Sequence, residues 1–347
     1  MTEGRLVVGL PAGSLADPSR GGNVTQLLEK AGFCTLGYDK GGPSLFPLTP
    51  FIVGWDGRPQ EFGAQLDLLE IDLAIAGDDW IQERVLECRY EYQQEVLLRK
   101  VLPLQRGRVR IVVINDQFGR DCDEWLSELL AANRLVTMVS EMPYVSLDWF
   151  RRKADALGFA ETHAQWCVQK FKTPPKIDAG LVIYETWGKT EAKVKNGAAH
   201  FGVEITQTGA AIRNYGLNIA TEIMTSEASV WANPELSEDP AKYDLARMFL
   251  LNLYGSVFAE NKVMVSYNVR NADVPGVLDY LRRNKLFADE PTMNKGETHT
   301  EFNSEMCADA ADLPLAKARY ELAKLGATAI ETIPLESSIP SLDVIDF

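Results

Sequence analysis

The first 77 residues alternate apolar runs with segments of helical periodicity. The run Leu6–Leu10 predicts a buried strand, and Val24–Ala31 predicts a helix with Asn23 as its N-cap. The segment Pro59–Leu69 predicts a second helix, which leads into the apolar strand Ile71–Gly77. This order is typical of α/β proteins with a mainly parallel sheet, in which ligands bind beyond the carboxyl ends of the strands.

The same alternation continues between residues 107 and 218. The predicted strands are Val109–Ile114, Leu135–Ser140, Gln165–Lys170, Ala179–Tyr184 and Phe201–Thr206, and the predicted helices are Asp123–Ala132 and Ser146–Leu157. The mixed-charge stretch Glu83–Arg99 is interpreted as a solvated helix face. The chain returns through Glu222–Trp231 to a helix at Pro240–Tyr254. We therefore predict two α/β lobes around a cleft, one made of residues 1–106 and 219–250 and the other of residues 107–218.

The last hundred residues have a different pattern, which predicts a small α+β module over residues 251–347. Its predicted strands are Lys262–Asn268 and Ala329–Ile333, and its predicted helices are Val274–Arg283 and Pro314–Leu325. The polar stretch Asp289–Phe302 between the helices predicts neither a helix nor a strand.

Composition and charge exclude several classes of protein. The net charge of −14 argues against nucleic-acid binding, which needs a basic surface. Five cysteines without a CxxC pair indicate reduced thiols in a cytoplasmic protein, and three scattered histidines offer no dedicated metal site. Neither a signal peptide nor a membrane-spanning apolar run is visible, so no membrane partner is expected.

The segment Gly188–Leu217 carries the most chemical information. The predicted strand Phe201–Thr206 leads through the turn Gln207-Thr208-Gly209-Ala210 into a short helix that Gly216 ends. Such a turn directs backbone N–H groups and the positive end of a helix at one point, which suits a phosphate. The acid Glu204 precedes the turn, where it could hold a ribose diol, so the segment indicates a phosphorylated ribose.

These residues resemble the long form of the ATP phosphoribosyltransferases, the enzymes that start histidine biosynthesis. The similar segments are Leu6–Leu15 with Leu27–Gly32, Arg58–Gly77, Gly188–Leu217, Ser226–Leu236 and Leu325–Glu336. The resemblance implies two periplasmic-binding-protein-like (type II) lobes that form a cleft, and a C-terminal ferredoxin-like regulatory module.

It also implies a glycosyl transfer that joins N1 of ATP to ribose C1 of phosphoribosyl pyrophosphate and releases pyrophosphate. Mg²⁺ on the pyrophosphate, feedback by histidine and a homo-oligomer (hexamer or dimer) are expected with it.

The resemblance assigns site residues in three groups. The catalytic candidates are Arg58 and Glu204. The candidates for binding phosphoribosyl pyrophosphate are Glu191, His200, Gln207, Thr208, Gly209, Ala210 and Ala211. The candidates for a nucleotide and pyrophosphate loop are Pro11, Ala12, Gly13, Ser14, Arg20, Asp78 and Asp79.

The chain departs from the family pattern at these sites. Where the family reads P-K-G-R-L, Ala12 and Ser14 replace both cations, and Arg20 is the candidate replacement for one of them. His200 stands in place of an aspartate and Ala211 in place of a threonine. His200 is interpreted either as a core histidine or as a ligand contact.

Two rival functions stay open at this point. One is a diverged phosphoribosyltransferase with another acceptor. The other is a non-catalytic regulator that binds a nucleotide or an amino acid on the same fold.

Overall fold

The computed structural model describes residues 4–16, 23–38, 44–287 and 290–345. The chain forms two compact units. The first unit contains Met1–Thr25 and Leu36–Tyr243, and the C-terminal unit contains Gln26–Thr35 and Asp244–Phe347. Across the described ranges, every helix is too short or too polar to span a bilayer.

The first unit is built on one nine-stranded sheet. Its strands are β1 (Leu6–Pro11), β2 (Ile52–Gly57), β3 (Leu73–Gly77), β4 (Arg99–Asn115), β5 (Leu135–Ser140), β6 (Trp166–Lys170), β7 (Gly180–Glu185), β8 (Phe201–Thr206) and β9 (Asn218–Ala232). Their order across the sheet is β2-β1-β3-β9-β4-β8-β5-β7-β6. The predicted α/β architecture is confirmed.

Helices pack on this sheet. They are α2 (Pro59–Asp67), α3 (Asp78–Glu87), α4 (Cys122–Ala132), α5 (Pro143–Ala156), α6 (Thr190–Lys195) and α7 (Ala210–Asn214). The apolar faces of α4 and α5 meet those of β5, β7 and β8 in a cluster that includes Trp125, Phe150 and Phe201. Burial of such faces is the main source of stability in this fold class.

The long strands β4 and β9 connect two groups of parallel strands. β1, β2 and β3 are parallel to one another, as are β5, β6, β7 and β8. β3 pairs with β9, β9 with β4, and β4 with β8, all antiparallel, so the two groups run in opposite directions. The division of this unit into two lobes at residues 106/107 and 218/219 stays a prediction.

Local sequence explains where several elements begin. Helix α5 starts at Pro143, three residues before the predicted start, because proline suits the first helical position. Helix α3 starts at Asp78, which the resemblance had assigned to a loop. Its first turn holds Asp78 and Asp79, whose negative charge suits a helix N-terminus.

The interpretation of Glu83–Arg99 as a solvated helix face is correct only in part, because the helical residues end at Tyr92. Helix α3 ends at Glu87, a π-helical turn covers Cys88–Tyr92, and β4 begins at Arg99. Glu83 keeps part of its surface exposed, but its carboxylate accepts hydrogen bonds of 2.8–3.1 Å from the N–H groups of Tyr144 and Val145. The carboxyl group of Glu83 on α3 therefore caps the N-terminus of α5.

The C-terminal unit is the predicted α+β module, with a four-stranded sheet in the order β11-β12-β10-β13. Its strands are β10 (Lys262–Arg270), β11 (Thr292–Lys295), β12 (His299–Cys307) and β13 (Thr328–Pro334), and α9 (Val274–Asn284) and α10 (Leu315–Lys324) pack on one face. Helices α1 (Val24–Lys30) and α8 (Pro240–Phe258) lie for the most part in this unit. Phe33, just after α1, packs on Phe249 of α8 with ring centroids 4.8 Å apart.

Candidate active site

The carboxyl ends of the two strand groups meet at the middle of β4 and β9. Gly77, the last residue of β3, pairs with Ala228 of β9, while Thr206, the last residue of β8, pairs with Arg110 of β4. Arg110 itself pairs with Thr225, only three positions from Ala228. Irregular pairing of β4 around Arg106–Val109 bends the crossing strand at this point.

A cavity of about 680 Å³ opens where these strand ends meet. Six predicted residues line it, namely Ala12, Gly13, Arg58, Asp79, Glu204 and Gln207. The sequence had placed these residues on four separate segments, and the sheet brings them together. A cleft at the carboxyl ends of parallel strands is the usual ligand site of such sheets.

The cavity carries more negative than positive groups. Its ionisable lining residues are Arg58, Asp79, Glu141 and Glu204. The Arg58 side chain is exposed and forms no ion pair with any residue in the described ranges. It is thus available to an anionic ligand.

Glu204 is an acid of the cavity whose pKa its surroundings change. Burial, together with the neighbouring carboxylates of Glu191 and Glu141, raises the pKa of Glu204 to about 7, although the Thr190 hydroxyl hydrogen-bonds to it. Its Oε2 atom is buried and makes no hydrogen bond. An unpartnered buried acceptor of this kind fits a hydroxyl donor or a cation from a ligand.

The N-terminus of α3 forms the opposite wall. The N–H of Asp79 donates to Ser226 Oγ at 3.1 Å, and Asp79 Oδ1 accepts from the N–H of Trp80 at 2.9 Å. Burial raises the pKa of the Asp79 carboxyl. A Cβ atom at Gly77 would collide with Asp79 Oδ1, which explains the glycine at the end of β3.

The predicted phosphate turn follows β8 as expected. Gly209 has φ +71, and a Cβ there would lie 3.1 Å from both Arg213 Nη1 and Ile219 Cδ1. The N–H of Gly209 donates to Thr206 Oγ1 at 2.9 Å, so that donor is already used within the turn.

Two arginines lie beside this turn. Arg213 Nη1 donates to the carbonyl of Thr208 at 2.9 Å, and Arg110 Nη2 lies 3.9 Å from the position that a Cβ of Gly209 would take. The sequence had not suggested either arginine. They supply positive charge next to the predicted phosphate position.

The structure does not bring every predicted residue to the cavity lining. Thr208, Gly209, Ala210 and Ala211 lie just beyond it, Pro11 is buried at the end of β1, and Glu191 acts through its charge on Glu204. Asp78 forms an ion pair of 2.6 Å with Lys100. The Ser14 side chain and the whole of Arg20 lie outside the described residues.

His200 lies at the opposite end of β8 from Glu204. Its Nδ1 accepts a hydrogen bond of 3.0 Å from the N–H of Thr137, and partial burial lowers its pKa. Six strand residues separate it from the turn, which corresponds to about 20 Å. This placement favours a structural role over a ligand contact.

The family described as HisG, ATP phosphoribosyltransferase, matches residues 58–253, which is more than half of the chain. The chain belongs to the ATP phosphoribosyltransferase family. The match includes Arg58, Asp79, Glu204 and the phosphate turn, and the family is that of a phosphoribosyltransferase acting at the first step of histidine biosynthesis.

Several members of the family cover most of this chain. The ATP phosphoribosyltransferase of Geotalea uraniireducens is 26% identical over 289 residues, which cover 81% of this chain and 83% of that protein. That of Trichlorobacter lovleyi is 28% identical with the same coverage. Among solved structures, a chain of the ATP phosphoribosyl transferase (HisG:HisZ) complex from Thermotoga maritima has a TM-score of 0.49 at 18% identity, covering 72% of this chain and 96% of that one.

Sequence reasoning missed two lining residues that follow strands of the second group. Glu141 follows β5, and Trp187 follows β7. Glu141 Oε1 accepts a short hydrogen bond from the N–H of Gly188 and so holds the turn that carries Trp187. The available signal was that Glu141 directly follows an apolar strand and that Trp187 lies two residues after another.

Proposed function

We propose that this chain joins N1 of ATP to ribose C1 of phosphoribosyl pyrophosphate and releases pyrophosphate. The observation that carries the proposal is the shared cavity of Arg58, Asp79 and Glu204 at facing strand ends, within the family match. In this reaction the bond from C1 to the pyrophosphate oxygen breaks, its electron pair leaves with pyrophosphate, and N1 bonds to C1. No protein nucleophile is required.

In this proposal Glu204 holds the ribose. Its unpartnered Oε2 accepts from a ribose hydroxyl, and in its ionised form it stabilises the positive charge that develops on the sugar. The charges of Glu191 and Glu141 add negative potential at Glu204.

The 5-phosphate is placed at the turn Gln207–Ala211. The N–H groups of Gly209 and Ala210 already donate within the turn, so its donors are the other N–H groups of the turn and the Thr208 hydroxyl. Arg110 and Arg213 supply charge beside it. Arg58 faces the leaving pyrophosphate across the cavity. Positioning and charge neutralisation account for most of the acceleration expected in a reaction of this type.

Magnesium is part of the proposal. Among the described residues, no three His, Cys, Asp or Glu side chains lie close enough together to hold a metal ion. One or two carboxylates with substrate oxygens suffice for Mg²⁺, and Glu204 and Glu141 are the cavity carboxylates that fit such a role. When bound, the ion neutralises pyrophosphate oxygens.

The proposal also covers the cellular location and the assembly of the enzyme. We place it in the cytoplasm, where the five free thiols would stay reduced. Assembly as a homo-oligomer and binding of histidine by the C-terminal unit stay predictions of the resemblance.

The test is an assay for phosphoribosyl-ATP with purified protein, ATP, phosphoribosyl pyrophosphate and Mg²⁺. Calorimetry with phosphoribosyl pyrophosphate separates the rivals. Binding without phosphoribosyl-ATP formation favours a phosphoribosyltransferase with another acceptor. Absence of both favours the non-catalytic regulator.

A further inference from the structure

A tyrosine from a separate segment holds the start of the loop that follows β1. The Tyr38 hydroxyl donates a hydrogen bond of 2.6 Å to the carbonyl of Pro11, the last residue of β1. Both residues are buried, and Ala12 and Gly13, which come next, line the cavity. Tyr38 is therefore in contact with the backbone that leads into the site, although it does not line the cavity itself.

The same hydrogen bonds extend to Arg58. Pro11 pairs with Gly57 at the end of β2, and the N–H of Ala12 donates to the carbonyl of Gly57 at 3.0 Å. Arg58, the next residue, lines the cavity. Because the ends of β1 and β2 are joined in this way, a shift of Pro11 would move both the loop and the backbone that carries Arg58.

The other end of this first loop, Ala12–Leu15, lies against β4. Gly107 of β4 has φ +60, and a Cβ there would lie 2.6 Å from Leu15 Cδ2. Leu15 and Gly107 both line the cavity. The absence of a side chain at Gly107 leaves room for this close approach. The first loop is thus held at both ends, by Tyr38 and by the contact with Gly107.

The segments on either side of Tyr38 are tied to each other and to β2. Leu36 and Leu45 exchange backbone hydrogen bonds of 2.8 Å and 3.2 Å. The buried Ser44 donates to the Asp56 carboxylate of β2 through its N–H, at 2.7 Å, and through its hydroxyl. Burial and the nearby Asp56 carboxylate raise the pKa of Tyr38 above its usual value of 10.0, so the hydroxyl stays protonated and remains a donor at neutral pH.

The position of the first loop matters because Ala12 stands where the resemblance expects a lysine. A lysine side chain can rotate to follow a displaced anion. Alanine and glycine offer an anion only their backbone, whose position the rest of the loop determines. A misplacement of about 1 Å in such a site can cost on the order of 100-fold in rate.

We propose that Tyr38 is a positioning residue for the binding of a diphosphate group in the cavity. Through the carbonyl of Pro11, its hydroxyl fixes the first loop and Arg58 where they meet that group. This inference rests on the proposed function, in which phosphoribosyl pyrophosphate and ATP both carry a diphosphate.

Calorimetry with pyrophosphate and with ribose 5-phosphate, each with Mg²⁺, tests this role. Tyr38→Phe removes only the hydroxyl and is expected to raise the Kd for pyrophosphate about tenfold. The Kd for ribose 5-phosphate, whose phosphate is placed at the turn Gln207–Ala211, should change less than twofold. Leu15→Ala loosens the other end of the first loop and should have the same pattern.

Tyr267→Phe is the matched control. The buried Tyr267 hydroxyl forms a 3.0 Å hydrogen bond with Ser304 in the C-terminal unit. Tyr38→Phe and Tyr267→Phe each remove one buried hydrogen bond, so both should lower the midpoint of urea unfolding. Tyr267→Phe should keep both Kd values at the wild-type level.

Several results would overturn the role of Tyr38. They are equal effects of Tyr38→Phe on the two ligands, an equal effect of Tyr267→Phe, an unchanged Kd for pyrophosphate, or no binding of pyrophosphate to the wild type.

The assay for phosphoribosyl-ATP keeps the two proposals apart. Pyrophosphate binding that depends on Tyr38, without product formation, rejects the reaction but keeps the positioning role. Product formation with KM values for both substrates that do not depend on Tyr38 rejects the positioning role alone. A rise in only one of the two KM values supports the role and identifies the substrate whose phosphates meet the first loop.

Discussion

Ser226 and Asp79 lie 147 positions apart in the chain, yet the Ser226 hydroxyl accepts a 3.1 Å hydrogen bond from the Asp79 N–H. The contact ties the returning strand β9 to the first turn of α3 at the cavity wall. Both residues are buried, at 2% and 3% relative exposure, so loss of this hydrogen bond is expected to cost stability.

Ser226→Ala is therefore expected to lower the free energy of unfolding by roughly 1–2 kcal/mol, because it leaves a buried N–H without an acceptor. Urea unfolding measures the change. Thr225→Ala is the control, since the hydroxyl of Thr225 bonds at the surface to Glu222. Its cost should stay within about 0.5 kcal/mol. Equal costs for the two variants would contradict the importance of the buried contact.

Activity should depend on the ionisation of Glu204. With its pKa raised to about 7, the carboxylate is present above that pH and is lost as the pH falls through it. The pH profile of kcat/KM for phosphoribosyl pyrophosphate should rise with a midpoint near 7. Glu204→Gln should remove that limb and lower the plateau roughly 100-fold.

Glu161→Gln, at an exposed acid far from the lining residues in the sequence, is the control for Glu204. It should keep the wild-type profile. A rising limb that persists in Glu204→Gln would assign the titration to another group.

Gly209→Ala tests the phosphate turn. Alanine disfavours φ +71, and its Cβ would lie 3.1 Å from two side-chain atoms. The KM for phosphoribosyl pyrophosphate should rise at least about tenfold while the KM for ATP changes little. Gly197→Ala is the control. Gly197 has a similar backbone angle, φ +69, but nothing lies within 4 Å of the position that its Cβ would take. The Gly197→Ala variant should lose about 1 kcal/mol of stability without a change in KM. A similar rise of KM in this variant would mean that the turn at Gly209 does not bind phosphoribosyl pyrophosphate.

Glu83 should make stability fall as the pH rises. Its pKa is raised to about 8 by burial, against a usual value of 4.5, so between these values the folded state binds the proton that the unfolded state has released. Glutamine does not titrate, so the free energy of unfolding of Glu83→Gln minus that of the wild type should increase with pH. The expected increase from pH 5 to pH 9 is roughly 2–4 kcal/mol. Denaturant unfolding at both pH values measures this difference. A constant difference between the two proteins would show that Glu83 does not titrate in this range.

A cation in the first loop should speed the reaction. Ala12 is exposed and lines a cavity with three acids and one arginine. Ala12→Lys combined with Ser14→Arg is expected to raise kcat/KM for phosphoribosyl pyrophosphate about tenfold or more. Ala12→Met adds a similar volume without charge and should leave kcat/KM near the wild-type value. If the two changes act alike, charge at this loop is not what limits the reaction.

The elements that the sequence predicts best are those made of a continuous run of buried apolar residues. The bounds of β5 and β8 agree with the predicted strands because each is an apolar run between clear turn residues. Strand β12 was missed for a physical reason. Its buried face alternates Thr300, Phe302, Ser304 and Met306, so half of that face consists of polar side chains and the pattern looks polar.

The candidate site shows the same limit. Arg58, Asp79 and Glu204 could be found because each stands in a recognisable segment. Glu141 and Trp187 show only the weaker signal of following an apolar strand, because their places in the cavity depend on the pairing of β5 with β7 and on the contact of Glu141 with Gly188. Long-range pairing of this kind is not encoded in the local pattern of one sequence.

The central claim is the transfer of the phosphoribosyl group to ATP, and its most direct test is a product assay with the purified wild-type protein. Incubated with ATP, phosphoribosyl pyrophosphate and Mg²⁺, the protein should form phosphoribosyl-ATP and pyrophosphate in equal amounts, and Glu204→Gln should form far less. No phosphoribosyl-ATP above background, while an active family member assayed alongside produces it, would contradict the account.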